Sequence, residues 1–194
     1  MKNVLVISAH PDDMEMSCGG AVARWISEGH TVHNLVMVKD VPQIDDLTQA
    51  EETLGVIPVS WPTIRDLSIT SALVAEVEKA LSNIRIDRII THWKEDWHQD
   101  HRACYELGNI LARKQPIDLW YMSSHPYHLK YREFSPEIYI DISEFMNKKY
   151  DAMDSYRDAI GFHWRSGVIH HDAWRGSFIE TPGAEVFKLG NLTL

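Results

Sequence analysis

Residues 9–15 read Ala-His-Pro-Asp-Asp-Met-Glu directly after the apolar run 4–7, which brings an imidazole and two carboxylates to the end of one strand. A second cluster, Asp96-Trp97-His98-Gln99-Asp100-His101, follows the apolar run 86–91. Imidazole nitrogen and carboxylate oxygen are the donors of catalytic divalent-metal sites, in which three protein ligands leave one coordination position open. Two such clusters at strand ends can complete one coordination sphere between them. The chain therefore reads as a metal hydrolase.

Bringing two distant loops to one ion requires strands that end side by side. Apolar and amphipathic stretches predict strands over 4–7, 31–38, 59–61, 86–93, 117–122 and 138–142. Helices are predicted over 18–28 (ended by Gly29), 46–54 (stopped at Gly55), 71–83, 99–113 and 143–160. This alternation implies an α/β fold, a single-domain Rossmann-like three-layer sandwich with a mostly parallel sheet, spanning 1–194. Ligands in such folds sit beyond the carboxyl ends of the strands, where both clusters fall.

A chain of 194 residues with 44% hydrophobic content can bury one sizeable core, and one domain is the simplest reading. No apolar stretch approaches the roughly 20 residues that span a bilayer. The first residues lead into a strand rather than a signal-peptide pattern, so the expected location is cytoplasmic. Cys18 and Cys104 make no disulfide framework and read as small buried residues. A formal charge of −9 argues against a nucleic-acid partner and for a small neutral or mixed-charge substrate. No internal repeat is present, and homo-oligomerisation stays open.

The block Ala9-His10-Pro11-Asp12-Asp13-Met14-Glu15, then Cys18-Gly19-Gly20, then Asp96-Trp97-His98-Gln99-Asp100-His101-Arg102, resembles the zinc-dependent deacetylases of the LmbE / PIG-L family. Weaker echoes follow in Asp141-Ile142-Ser143, in Lys149 and in Gly183-Ala184-Glu185-Val186-Phe187. The resemblance implies that His10, Asp13 and His101 bind the metal, zinc by family habit, with Fe2+, manganese and cobalt open to the same donors. It also implies Asp12 as general base, a protonated His98 as oxyanion donor and Asp100 as a supporting carboxylate. Either Asp96 or Asp100 could orient His98. The implied reaction removes an acetyl group from an N-acetylated amino sugar, such as an N-acetylglucosamine conjugate.

Competing readings accompany these assignments. Asp96 and Gln99 could be a helix-capping pair, and Glu15 could bond to backbone. Gly19-Gly20 could cradle a phosphate, although close approach of helix to sheet fits the pair better. His92 ends a strand and could line the pocket, whereas His30, His33, His170 and His171 read as surface or satisfied residues. The stretch 162–174 could be a lid, a subunit contact or core. Many relatives carry an arginine and a glutamate ahead of the Leu-Gly dipeptide to hold a sugar ring. Here residues 43–50 contain no arginine, so Arg65 or Asp66 could substitute, and the loop 125–132 could reach the attached group. Hydrolysis of another amide or ester, deformylation, phosphoester cleavage and non-catalytic carbohydrate binding are the alternative functions.

Overall fold

Side chains of the first strand, β1 (Asn3–Ser8), alternate between two apolar layers: Val4 and Val6 enter one, Leu5 and Ile7 the other. That period of two, with both faces apolar, marks a strand covered on both sides. The computed structural model describes residues 1–39, 44–62, 64–65, 67–113, 116–123 and 134–191. In chain order β1 is followed by α1 (Asp13–Ser27), β2 (Thr31–Val36), α2 (Ile44–Leu54), β3 (Ile57–Pro58), α3 (Ser71–Ala80), β4 (Arg88–Thr91) and α4 (Gln99–Ala112). Then come β5 (Asp118–Met122), β6 (Ile138–Asp141), α5 (Met146–Asp154), α6 (Arg157–Ser177) and β7 (Ala184–Asn191).

The seven strands form one sheet in the order β3-β2-β1-β4-β5-β7-β6. β3, β2, β1, β4 and β5 pair in parallel, while β7 runs antiparallel between β5 and β6. The chain winds outward from β1 through β2 and β3, then crosses back to β4 on the other side. The switch point of the sheet therefore lies between β1 and β4, where a crevice opens at the strand ends. Both sequence clusters begin at that crevice. Among the described residues, no helix is long and apolar enough to cross a membrane.

Several elements differ from the sequence expectation, four of them in ways that bear on the layout. α1 starts at Asp13 rather than residue 18, and Cys18 is a kink inside it, with φ −149°. The predicted helix over 143–160 is two helices, broken where Tyr156 turns inward and is wholly buried. β3 ends at Pro58, and only the Val59 N–H extends its pairing, donating to the Asn34 carbonyl at 2.8 Å. β7 was not anticipated because the buried Glu185 interrupts its apolar pattern.

The glycines of Cys18-Gly19-Gly20 serve close approach. A Cβ on Gly20 would stand 2.8 Å from Ile142 Cβ, and one on Gly19 would stand 3.3 Å from Lys149 Cγ. The Gly20 and Ala21 N–H groups do hold an anion, but it is the Glu185 carboxylate, at 3.0 and 2.6 Å. Gly20→Ala is accordingly expected to destabilise the fold by about 1–3 kcal/mol through overpacking. Urea unfolding checks this, and an unchanged midpoint would contradict it.

Candidate metal centre

His10 leaves the end of β1 and Asp13 opens α1, so the strand-to-helix turn sets their spacing. The turn is tight: the His10 N–H donates to Asp13 Oδ2 at 2.7 Å, and the Met16 N–H donates to the Asp12 carbonyl at 2.9 Å. Asp12 stands at the N-cap of α1 in the left-handed region, φ 91°, and its side chain makes no capping hydrogen bond. An N-cap aspartate ordinarily spends its carboxylate on the helix N–H groups. The left-handed backbone, strained by roughly 1–3 kcal/mol, withholds it from that use. Burial, reinforced by Asp13, pushes the Asp12 carboxyl up to about 8.

The second cluster is placed by β4 and α4. His98 is the N-cap of α4, and Asp100, His101, Cys104, Leu107, Gly108 and Leu111 share its buried face at helical spacing. Close packing sets this helix on the strand: a Cβ on Gly108 would stand 2.7 Å from Thr91 Cγ2, and the Thr91 hydroxyl donates to the Cys104 carbonyl. Arg102 donates to the Asp96 and Trp97 carbonyls and holds the intervening loop.

The two clusters meet over Asp13. His10 Nδ1 lies 3.6 Å from Asp13 Oδ2, and His101 Nε2 lies 3.3 Å from Asp13 Oδ1. The opposite ring nitrogens face two other carboxylates: His10 Nε2 is 3.0 Å from Asp100 Oδ2, and His101 Nδ1 is 2.8 Å from Asp96 Oδ2. An imidazole with one nitrogen turned to a site and the other held by a carboxylate is the usual form of a metal-ligating histidine. The donor set therefore fits a divalent ion at His10, Asp13 and His101. Among the described residues the trios whose candidate donor atoms all lie within 4.8 Å of one another are His10 with His98 and His101, and Asp13 with His92 and His101, which share His101.

This arrangement separates the two acids that the sequence left open. Asp96 holds His101, and its other oxygen accepts from the His98 N–H at 2.8 Å, so it is not a simple partner of Gln99. Asp100 faces His10, and its carboxylate is 3.7 Å from His98 Nδ1. His98 Nδ1 instead accepts from the Asp100 backbone N–H at 3.3 Å. The ring proton then resides on Nε2, which can donate while the imidazole is neutral. Burial and the neighbouring His10 and His101 rings hold His98 below its ordinary pKa. That direction favours a neutral donor over the protonated His98 expected from the sequence.

His92 is the residue the sequence underweighted. It is wholly buried, accepts from the Ala9 N–H at Nε2, stacks on His101 with centroids 4.0 Å apart and lies 3.4 Å from Asp13 Oδ2. Its place one residue past β4, at the switch point, is the signal that could have found it. Burial and His101 lower it to about 4, so it is neutral. Glu15 is also wholly buried, has no partner outside its own residue among the described residues, and is pushed by burial up to about 8. Behind the turn, Ser8, Asn34 and Glu51 form a buried hydrogen-bonded chain that the sequence did not suggest.

The stretch 162–174 lies within α6, where Val168 packs on Tyr150 and Met153. His170 is exposed, as expected, whereas His171 is partly covered and lowered to about 3 by burial and Arg175. Arg65 is exposed, and Asp66 and the loop 125–132 lie outside the described residues.

The proton inventory makes a prediction. Burial would lower His101, but Asp13 and Asp96 outweigh it and raise the ring to about 10. A metal needs the neutral imidazole, so binding must expel that proton, and affinity must rise with pH below that value. Titration calorimetry near pH 7 in buffers of different ionisation enthalpy should report at least about one proton released per ion. Buffer-independent heats would contradict this.

The model of the family PIG-L, GlcNAc-PI de-N-acetylase, matches residues 5–111, which contain both clusters. An uncharacterized deacetylase, YaiS of Escherichia coli K12, is 26% identical over 158 residues, covering 74% of this chain and 83% of that protein. Two solved structures share the fold, each with a TM-score of 0.78. GalB, the 4-carboxy-2-hydroxymuconate hydratase of Pseudomonas putida KT2440, is 16% identical, covering 100% of this chain and 98% of that one. The N,N'-diacetylchitobiose deacetylase of Pyrococcus horikoshii is 18% identical, covering 97% of this chain and 83% of that one. With the family model spanning more than half of its length and both site clusters, this chain belongs to the PIG-L de-N-acetylase family.

Proposed function

We propose that this chain is a metal-dependent amidohydrolase that removes an acetyl group from an N-acetylated amino sugar, most simply within a conjugate. His10, Asp13 and His101 hold the ion, zinc by family habit, Asp12 is the general base and His98 the oxyanion donor. The carrying observation is the pair of imidazoles that each turn one nitrogen to Asp13 and the other to a separate carboxylate.

When bound, the ion supplies Lewis acidity to the acyl carbonyl and acidifies water beside it. Asp12, withheld from capping, accepts the proton of the attacking water and can return it to the leaving amine. His98 Nε2–H donates to the oxygen on which charge develops. Asp96 and Asp100 fix the ring orientations of His101 and His10. Family membership and the deacetylase relatives support the acetyl group and the amino sugar.

GalB carries a hydratase on the same fold, so the deciding assay must separate amide hydrolysis from hydration. Metal-replete protein should release acetate and free amine in equal amounts from conjugated N-acetylhexosamines, and only weakly from the free monosaccharide. It should hold about one equivalent of divalent ion, and His101→Ala should lose most of both ion and activity. Phosphate release without amine, or full metal and turnover in His101→Ala, would overturn the assignment.

A further inference from the structure

The chain carries a formal charge of −9, yet two ammoniums converge on one indole beside the metal centre. Trp93 directly follows His92, whose ring stacks on His101. Lys94 Nζ lies 5.4 Å and Lys188 Nζ 5.0 Å from the centre of the Trp93 ring. The two lysines come from different parts of the fold: Lys94 from the exit of β4, Lys188 from β7. Register brings them together, because Thr91 pairs with Tyr121 and Tyr121 pairs with Lys188, one row across the sheet. Strands are about 4.8 Å apart, so Lys188 starts some 10 Å from the strand end that delivers His92.

The ring that gathers these charges is fixed in place. Trp93 packs against Tyr121 at 5.4 Å and edge-on to Phe134 at 6.0 Å, and Tyr121 is anchored by its hydroxyl to Asn109 at 2.9 Å. The ion pair that Lys94 makes with Glu95 is exposed to solvent and therefore weak. Glu95 is 3.8 Å from Lys94 Nζ, and the Glu137 carboxylate accepts from the Leu189 N–H. Half of the Lys94 side chain is exposed. Two cations held over one aromatic ring, just past the carboxyl end of β4, suit a substituent that carries negative charge.

We propose that Trp93, Lys94 and Lys188 form a subsite for an anionic substituent, phosphate or carboxylate, attached to the acylated sugar. The proposal rests on the amidohydrolase reading for the identity of that sugar, but its test is one of binding. The sugar's acyl end lies at the metal centre and its charged end at the lysines.

Calorimetric titration in an Asp12→Asn background, where turnover is suppressed, compares three ligands: methyl N-acetylglucosaminide, N-acetylglucosamine 1-phosphate and the carboxymethyl glycoside of N-acetylglucosamine. At least one charged ligand should bind roughly tenfold more tightly than the methyl glycoside, a difference of about 1.4 kcal/mol. Which of the two does so distinguishes phosphate from carboxylate. Lys94→Gln combined with Lys188→Gln should abolish the advantage without changing the affinity for the methyl glycoside, and Lys188→Arg should retain it. Charged ligands that bind no tighter than the neutral one, or an advantage that survives loss of both lysines, would overturn the subsite. Amine release from the methyl glycoside by the unmodified protein is scored separately and bears only on the amidohydrolase reading.

Discussion

Asp12→Asn lowers kcat by about 10²-fold or more, the scale of lost general-base catalysis, and leaves metal content near that of the unmodified protein. The substitution is a clean one for this position. Asparagine tolerates the left-handed backbone that Asp12 adopts at φ 91°, and the Asp12 carbonyl that starts α1 is unchanged. No capping bond is lost either, because the carboxylate makes none. What disappears is the proton acceptor. His98→Ala should cost a comparable 10²- to 10³-fold through the lost oxyanion donor, again with the ion retained. Metal analysis alongside steady-state kinetics separates these effects from loss of the ion. Normal turnover by Asp12→Asn would move the base to Glu15 or another acid.

The second large effect concerns stability. Lys149 is wholly buried, with Nζ 2.8 Å from Asp172 Oδ2 and 2.7 Å from Glu185 Oε1. Glu185 in turn accepts from Gly20 and Ala21 of α1, and Asp172 from the Tyr150 hydroxyl. One ammonium therefore ties α5, α6, β7 and the kinked helix together. Lys149→Met leaves two carboxylates buried without their cation, at a cost of about 3–5 kcal/mol. The melting temperature should fall by roughly 10 °C.

The pH dependence follows from Asp172, which burial pushes up to about 7 even with Lys149 opposing it. An acid with a raised folded-state pKa favours folding below its unfolded value, and that contribution is lost as pH rises through the folded one. Removing Lys149 raises Asp172 further. The variant's deficit should therefore be largest above pH 7 and smallest near pH 4, the unperturbed value of an aspartate. Melting curves across that range check the sign, and a deficit independent of pH would mean that the ion triad is not its source.

Residue type and local spacing were enough to place His10, Asp12 and Asp13 at one strand end and His98, Asp100 and His101 at another, because strand period and turn residues are local properties. The parallel layered sheet followed from the alternation of strands and helices. Lys149 and Glu185 were visible only as echoes of a family pattern; nothing local shows that two residues 36 positions apart share a buried ion pair. Partner choice within the site was likewise a tertiary matter. Asp96 and Asp100 have the same chemistry and sit four residues apart, so their distribution between His101 and His10 depends on how α4 docks on β4 through Gly108 and Thr91. The tautomer of His98 depends on one backbone N–H at the start of that helix. Trp93 and Lys188 come together only through sheet register, in which residues from β4, β5 and β7 share a row that no sequence interval records. Covalent order determines which donors each strand end carries, and long-range packing decides which of them face one another.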